Sequence, residues 1–468
     1  MIPPKEDPLQ RPRRSVLDDN RLIAGLIVAY SCVAAAVLSK LPLWLDEILQ
    51  IIGTKGRTFV QIVEWVPGSA GGVPLGYFVQ SVVIGILGYS VFTARLPSLI
   101  FSVLGCMALV WLGRELQLKR AAVAVLLMMA LPLQFRYALE GRIYAQAVFC
   151  VILMTALALR LARQSKPLWV LLYGLAVVAG VMTSPLLVSF PLAHFAWASV
   201  CLSGKERRRT QFHIAISWAV GSILLTFWVL WMRTRWIEAV VGNQEHFHFD
   251  YRLFLMLLRE LGGGGYILSS LLLIAVCAGL LSRGISRSTR VLLLSIVIVP
   301  MAATIALDAA WDYFFAIRQM TPLIPGLALL AAEGVRDLYA RRRILGLLLV
   351  TALVCTALVH DVLWFGRPRE NWGLAASVLK ASAQDACLLF VPVDAMYTYS
   401  FFVPDLPSRG CRQLGPSPEQ RRIIVVATPY SPPADVTAVR RKLEGAGMTR
   451  VQSTAAGGTG MVLYESAP

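Results

Sequence analysis

The chain has 468 residues, of which 57% are hydrophobic and only 15% charged, and its mean hydropathy is +0.65. A soluble globular protein carries about 25% charged residues, so the composition excludes that class and indicates an α-helical polytopic membrane protein. The net charge of +17 does not indicate a nucleic-acid partner, because the bases cluster in short segments between apolar runs, as in cytoplasmic loops.

The polar, proline-containing residues 1–20 predict a disordered cytoplasmic tail. No convincing cleavage site follows the first apolar run, which we therefore interpret as a retained anchor. Runs long enough to span a bilayer, about 18–20 residues, then recur. Eleven such runs lie near 21–39, 95–113, 119–136, 143–162, 168–184, 185–203, 214–232, 265–282, 291–307, 321–338 and 344–364.

A further apolar stretch, 74–92, has two interpretations. If it spans the bilayer, the basic segments 204–209 and 339–343 face the outside. If it lies along the outer surface, those bases face the cytoplasm with the basic tail. Loop charge favours the second arrangement, with about 11 transmembrane helices and interfacial helices in a first outer loop, 40–94. The transmembrane domain is then predicted to cover 21–364.

Residues 365–468 have a different pattern, which predicts a small C-terminal α/β extracytoplasmic domain. The segments "DACLLFVPV", "RRIIVVATP" and "GMVLYES" are typical of strands, and "DVTAVRRKLEGAGM" of an amphipathic helix. Cys387 and Cys411 are the two cysteines of this domain, and six others fall in predicted spans. An oxidising compartment permits a Cys387–Cys411 disulfide, but spacing alone leaves the bond open.

The first candidate site is the adjacent acids Asp46 and Glu47, which follow the first apolar run. Neighbouring residues on a helix cannot face the same way, so their roles are expected to differ. One of them is suited to act as a general base toward a hydroxyl or amine. The structural alternative is the start of an interfacial helix, where acids complement the helix dipole.

Two further outer segments carry unusual bases. "RYALEGRIYAQA" contains Arg136, Glu140, Arg142 and Tyr144, and a later outer loop contains Arg318. An arginine in an outer loop is unusual, because bases are normally enriched in cytoplasmic loops. Its planar guanidinium group can bind two oxygens of a phosphate at once. The alternative is that these short charged loops only influence the membrane topology and bind no substrate.

The longest mid-chain outer loop contains "NQEHFHFD", residues 243–250. Histidine and carboxylate side chains bind zinc, but a His-x-His pair alone is a weak pattern. We therefore interpret this loop as facing the acceptor and assign it no metal.

The order of these segments resembles the GT-C superfamily of membrane glycosyltransferases. The resemblance rests on "LDE", "VPLGYF", "TARLPSLIFSVLGCMALVWLGREL", "RYALEGRIYA", "YFFAIRQMTPLIPGLALLAA" and "RENWGLAASVLKA". It covers about residues 20–385 and is closest to bacterial relatives of protein O-mannosyltransferases and of the lipid A aminoarabinose transferase. The chain departs from many relatives at Val73-Pro74-Leu75, where they have a His-Pro-Pro-Leu run.

The resemblance implies an enzyme that moves a hexose or pentose from a polyprenyl-phosphate carrier to an envelope acceptor. It places Asp46 at the catalytic acid of the first outer loop, with Glu47 as its neighbour. It also places Glu140 at a second acidic position, and Arg142 and Arg318 where bases hold the carrier phosphate.

The expected reaction is an inverting transfer with Asp46 as general base and no nucleotide-sugar donor. The acceptor, whether lipid, glycan or protein, stays open, and so does a divalent metal ion as cofactor. We expect a bacterial inner membrane protein with a cytoplasmic N-terminus and a periplasmic C-terminal domain. The rival functions are a transporter or flippase of lipid-linked glycans and a non-catalytic envelope scaffold.

Overall fold

The structure is a computed structural model. It describes residues 20–466 except for 69–71, 119–120, 165, 234–250, 264, 312–316, 368, 383–385, 394, 407–409 and 412–420.

The apolar runs of the sequence are helical. The helices are α1 (Asn20–Val37), α2 (Leu45–Ile52), α3 (Phe59–Trp65), α4 (Leu75–Leu87), α5 (Val91–Glu115), α6 (Ala121–Ala130), α7 (Pro132–Ala138), α8 (Tyr144–Arg163), α9 (Pro167–Val181), α10 (Ser189–Cys201), α11 (Gly204–Arg233), α12 (Tyr251–Leu261), α13 (Tyr266–Leu281), α14 (Arg287–Trp311), α15 (Ile324–Arg341), α16 (Arg343–Gly366), α17 (Trp372–Ser382), α18 (Ala395–Ser400) and α19 (Pro433–Gly445). Three short 3₁₀ segments lie at Val66–Gly68, Pro185–Val188 and Ile317–Leu323.

The chain is a multi-pass membrane protein. Among the residues that the structure describes, six helices are long and apolar enough to cross a membrane, or up to eight if each of two bent pairs forms one span. The expected count of eleven is not reached by this criterion, because several of the predicted runs form helices of only 10–17 residues. Each predicted run is nevertheless helical over most of its length.

The chain divides into two compact units. The membrane unit comprises Met1–Val37, Val63–Gln80 and Arg95–Trp364, and the tail unit comprises Leu38–Ile62, Ser81–Ala94 and Phe365–Pro468. The tail unit therefore combines the C-terminal segment with two pieces of the predicted first outer loop, including α2 and the acidic pair. The tail unit is therefore larger than the C-terminal domain predicted at residues 365–468.

The tail unit contains one four-stranded sheet, in the order β1-β2-β4-β3. Its strands are β1 (Cys387–Val391), β2 (Arg422–Ala427), β3 (Met448–Ala456) and β4 (Thr459–Ser466). β1 and β2 are parallel, whereas β4 is antiparallel to both β2 and β3. The central strand β2 is apolar and buried, while β3 is exposed along most of its length. A disulfide joins Cys387 to Cys411.

An ion-pair cluster joins one end of α5 to one end of α8, with a buried carboxylate and two partly exposed arginines. Glu115 is 4% exposed, and its two carboxylate oxygens pair with Arg160 at 2.7 Å and Arg163 at 2.8 Å. Loss of both arginines would be costly, because it would leave the buried Glu115 carboxylate without a compensating charge. The cluster therefore holds in place the helix α8, whose opposite end begins at the candidate residue Tyr144.

Candidate active site

The acidic pair lies in the first turn of α2. The backbone of Trp44 is extended and forms the N-cap, and its N–H donates to the Glu47 carboxylate at 3.4 Å. Glu47 is completely buried, whereas Asp46 is half-buried. Negative charge in the first turn is favourable next to the positive end of the helix dipole. The two neighbouring acids therefore differ in environment. Glu47 is buried and accepts the hydrogen bond from the N-cap backbone, whereas Asp46 remains partly exposed to solvent.

Helix α2 is anchored by apolar residues one turn apart. Ile48 and Ile51 are fully buried and belong to the same core as Trp372 and Tyr399 of the C-terminal segment. Burial of an isoleucine side chain contributes about 1.5–3 kcal/mol. Asp46 is thus carried by a short helix that packs firmly within the tail unit.

Glu370 is a functional candidate that the sequence reasoning missed. Its carboxylate accepts hydrogen bonds from Trp372 Nε1 at 2.7 Å and from the Tyr430 hydroxyl at 2.9 Å. It also accepts one from the backbone of Leu45 and interacts electrostatically with Asp46. Burial raises the pKa of Glu370 and the Asp46 charge adds to that rise, while the three hydrogen bonds oppose it.

In the membrane unit, a break between α6 and α7 positions Arg136. The two helices bend by 69° at Pro132, whose ring and missing N–H prevent the helix from continuing. Arg136 is 8% exposed. Its guanidinium donates to the Gly263 carbonyl at 2.8 Å and lies over the Trp364 ring, 5.2 Å from the centroid. Arg136 therefore ties three segments of the membrane unit together.

The connection between α7 and α8 carries Glu140 and Arg142. The Arg142 N–H donates to the Glu140 carbonyl at 2.7 Å, which closes a tight turn. The Ser98 hydroxyl donates to the Arg142 carbonyl at 2.9 Å, and the Gln80 amide donates to the Gly141 carbonyl at 3.4 Å. This turn is therefore held by side chains from α5 and α4, and the half-buried Arg142 projects from a fixed backbone.

Tyr137 is the residue around which the predicted membrane-unit candidates converge. Its ring lies 4.5 Å, centroid to centroid, from the ring of Tyr144. Its hydroxyl interacts electrostatically with Glu140, Arg136 and Arg318. The 3₁₀ segment with Arg318 packs against α8. Tyr137, the start of α8 and the 3₁₀ segment with Arg318, which are separated in sequence, therefore lie in one part of the membrane unit.

No group of three or more histidine, cysteine, aspartate or glutamate residues suited to a metal ion occurs in the part of the chain that the structure describes. The predicted loop 243–250, with its two histidines, lies outside the described residues. No geometry of a metal site is therefore assigned.

Comparison with known proteins shows which solved structures have a similar fold. No family model matches the chain, and no curated protein matches it in sequence. Solved structures do match. ArnT from Cupriavidus metallidurans in the apo state is similar with a TM-score of 0.61 at 14% identity, over 95% of this chain and 99% of that chain. ArnT bound to undecaprenyl phosphate is similar with a TM-score of 0.58 at 15% identity, over 95% and 99%.

A third similar structure is the arabinofuranosyltransferase AftD from Mycobacteria, with a TM-score of 0.56 at 14% identity. The match covers 96% of this chain and 40% of AftD, so this chain spans less than half of that protein. These neighbours are GT-C glycosyltransferases, and the chain has the GT-C fold over nearly its whole length. The resemblance seen in the ordered motifs is confirmed at the level of the fold.

Proposed function

We propose that the chain transfers a sugar from a polyprenyl-phosphate carrier to an acceptor of the cell envelope. The observation that carries the proposal is the GT-C fold, shared over 95% of the chain with ArnT, which has been solved with undecaprenyl phosphate bound. We further propose the extracytoplasmic face of a bacterial inner membrane as the site of reaction. The acceptor is a lipid, a glycan or a protein.

Asp46 is proposed as the general base. An acceptor hydroxyl or amine attacks the anomeric carbon, the bond from that carbon to the carrier phosphate oxygen breaks, and the proton of the acceptor passes to the Asp46 carboxylate. A single displacement inverts the anomeric centre and requires no covalent sugar–enzyme intermediate. The half-buried position of Asp46 supports this role, because a base must reach the proton that it takes. Glu47, fully buried, supports the helix start instead.

The arginines are proposed to stabilise the leaving phosphate. Negative charge grows on the phosphate oxygens as the glycosidic bond breaks, and guanidinium groups placed in advance lower that barrier. We assign Arg142 and Arg318 to this role and Arg136 to support, because its guanidinium already binds the Gly263 carbonyl. Glu140 and Tyr144 are proposed to orient the arginines and the sugar.

The experiment that tests this function compares cells with and without the gene by mass spectrometry of polyprenyl-phosphate sugars and envelope glycans. The proposal predicts that one lipid-linked sugar accumulates in the deletion strain and that one glycan loses the same sugar. Disturbed glycan export without accumulation of a lipid-linked monosaccharide would contradict transfer and favour a transporter.

A further inference from the structure

The segment that carries Glu370 is built into the tail unit from several sides. The next residue, Asn371, donates its N–H to the Gly457 carbonyl at 2.9 Å. Gly457 has φ +56°, and a side chain there would collide with the Asn371 carbonyl. Trp372, which donates to Glu370, is 2% exposed and packs against Tyr399 at 5.0 Å between ring centroids. The backbone that follows Glu370 is therefore held in place.

The Glu370 carboxylate is also held in place, by hydrogen bonds. One oxygen accepts from Trp372 Nε1 and the other from the Tyr430 hydroxyl. A further hydrogen bond comes from the backbone of Leu45, the first residue of α2 and the neighbour of Asp46. Three donors therefore set the orientation of the carboxylate, and hydrogen bonds to a charged acceptor are stronger than those between neutral groups.

We propose that Glu370 is a positioning residue for Asp46, supplied by the C-terminal segment. Its carboxylate holds the start of α2 through Leu45 and places a negative charge beside Asp46. The inference rests on the proposed function, because it assigns Glu370 to the same proton transfer. The repulsion between the two carboxylates is relieved when Asp46 accepts the acceptor's proton, so the ionised form of Glu370 favours the reaction.

The role predicts that the reaction needs the C-terminal segment. In the sequence this segment is a separate small domain, whereas the structure includes α2 and Glu370 in one compact unit. The acidic pair is therefore incomplete without a residue from beyond the last membrane helix.

The test is Glu370→Gln in the full-length protein. The donor is the lipid-linked sugar pool extracted from the deletion strain, the acceptor is deletion-strain membrane, and transfer is followed by mass spectrometry. Glutamine keeps the volume and one acceptor oxygen but removes the charge. We expect the maximal rate to fall about 10- to 100-fold, less than the roughly 100- to 10,000-fold that a general base supplies, because Asp46 itself is retained. The apparent KM for donor and the binding of undecaprenyl phosphate should change less than twofold.

The pH profile separates positioning from a merely structural role. In the wild type, the rate should begin to fall where Glu370, with its raised pKa, takes up a proton. In Glu370→Gln the reduced rate should stay constant through that range and fall only at lower pH. The matched control is Glu444→Gln, in the same unit, whose carboxylate also accepts from a tyrosine, Tyr464, at 3.4 Å. It should retain the wild-type rate and profile.

Three outcomes would each overturn one of these assignments. If Asp46→Asn abolishes transfer but Glu370→Gln keeps the wild-type rate and pH profile, the positioning role is wrong and the proposed function stands. If Asp46→Asn keeps its activity, the general-base assignment itself fails. A rate loss in Glu370→Gln that only follows a lowered melting temperature would also overturn the positioning role.

Discussion

Replacing Arg142 or Arg318 by alanine is predicted to weaken the binding of undecaprenyl phosphate. Unit charges about 4 Å apart attract by about 4 kcal/mol at the effective dielectric of a protein surface. Desolvation and side-chain ordering reduce this to about 1.5–3 kcal/mol for a charge-assisted contact. Both arginines are half-buried, so screening by salt is incomplete. The expected loss is about 10- to 150-fold in Kd for each variant.

The assay is binding of undecaprenyl phosphate to the purified full-length protein in lipid nanodiscs, at low and high salt. Arg142→Lys retains the charge but not the fork, and its loss should be intermediate. Arg287→Ala is the control, because Arg287 is an exposed base of the membrane unit at the start of α14. Unchanged affinity in both alanine variants, with correct folding, would remove the two arginines from the carrier site.

Three further predictions concern the tail unit. Gly457→Ala should lower its unfolding free energy by about 1–3 kcal/mol, measured by thermal unfolding, because φ is +56° and the new Cβ meets the Asn371 carbonyl. Reduction of the Cys387–Cys411 disulfide, whose cysteines are 24 residues apart, should cost about 3 kcal/mol in the same assay. The folded state holds a proton on Glu370 above the ordinary glutamate pKa, so stability should decrease as pH rises through that window, and Glu370→Gln should flatten the dependence.

The first two of these predictions each have a control. Gly445→Ala introduces a side chain with nothing within 4 Å and should leave stability unchanged or slightly raised. Cys277→Ser removes an exposed free cysteine and should not alter the response to reductant. A melting temperature of the tail unit that does not respond to reductant would contradict the role given to the disulfide.

The helices were predictable because hydrophobic side chains in a bilayer leave the backbone few alternatives to a helix. The run 119–136 shows the limit of this reasoning. Hydropathy predicts one continuous span there, but Pro132 divides it into α6 and α7. A window of averaged hydropathy does not register the missing N–H of one proline, although that proline is what turns Arg136 and Tyr137 toward their partners.

The strand β3 was not predicted. "MTRVQSTAA" has little apolar alternation, and seven of its nine residues are exposed. It forms because β4 supplies a partner for its backbone hydrogen bonds. This pairing depends on the tertiary structure and cannot be read from the local sequence pattern.

Glu370 shows why part of the candidate site was missed. Asp46 and the arginines attract notice because charge is unusual near membrane spans. Glu370 lies in a polar segment after the last apolar run, where a glutamate is ordinary. Only the fold places Leu45 against its carboxylate, and no spacing along the chain indicates that contact.

The most direct test of the account is the transfer activity of Asp46→Asn in the full-length protein. Asp435→Asn is the matched control, because Asp435 is an exposed aspartate in the first turn of α19 in the same unit. Expression and thermal unfolding are measured for both. The account predicts that Asp46→Asn folds normally, loses at least about 100-fold in transfer rate, and accumulates the same lipid-linked sugar as the deletion strain, while Asp435→Asn behaves as wild type. Wild-type transfer by a folded Asp46→Asn protein would contradict the account.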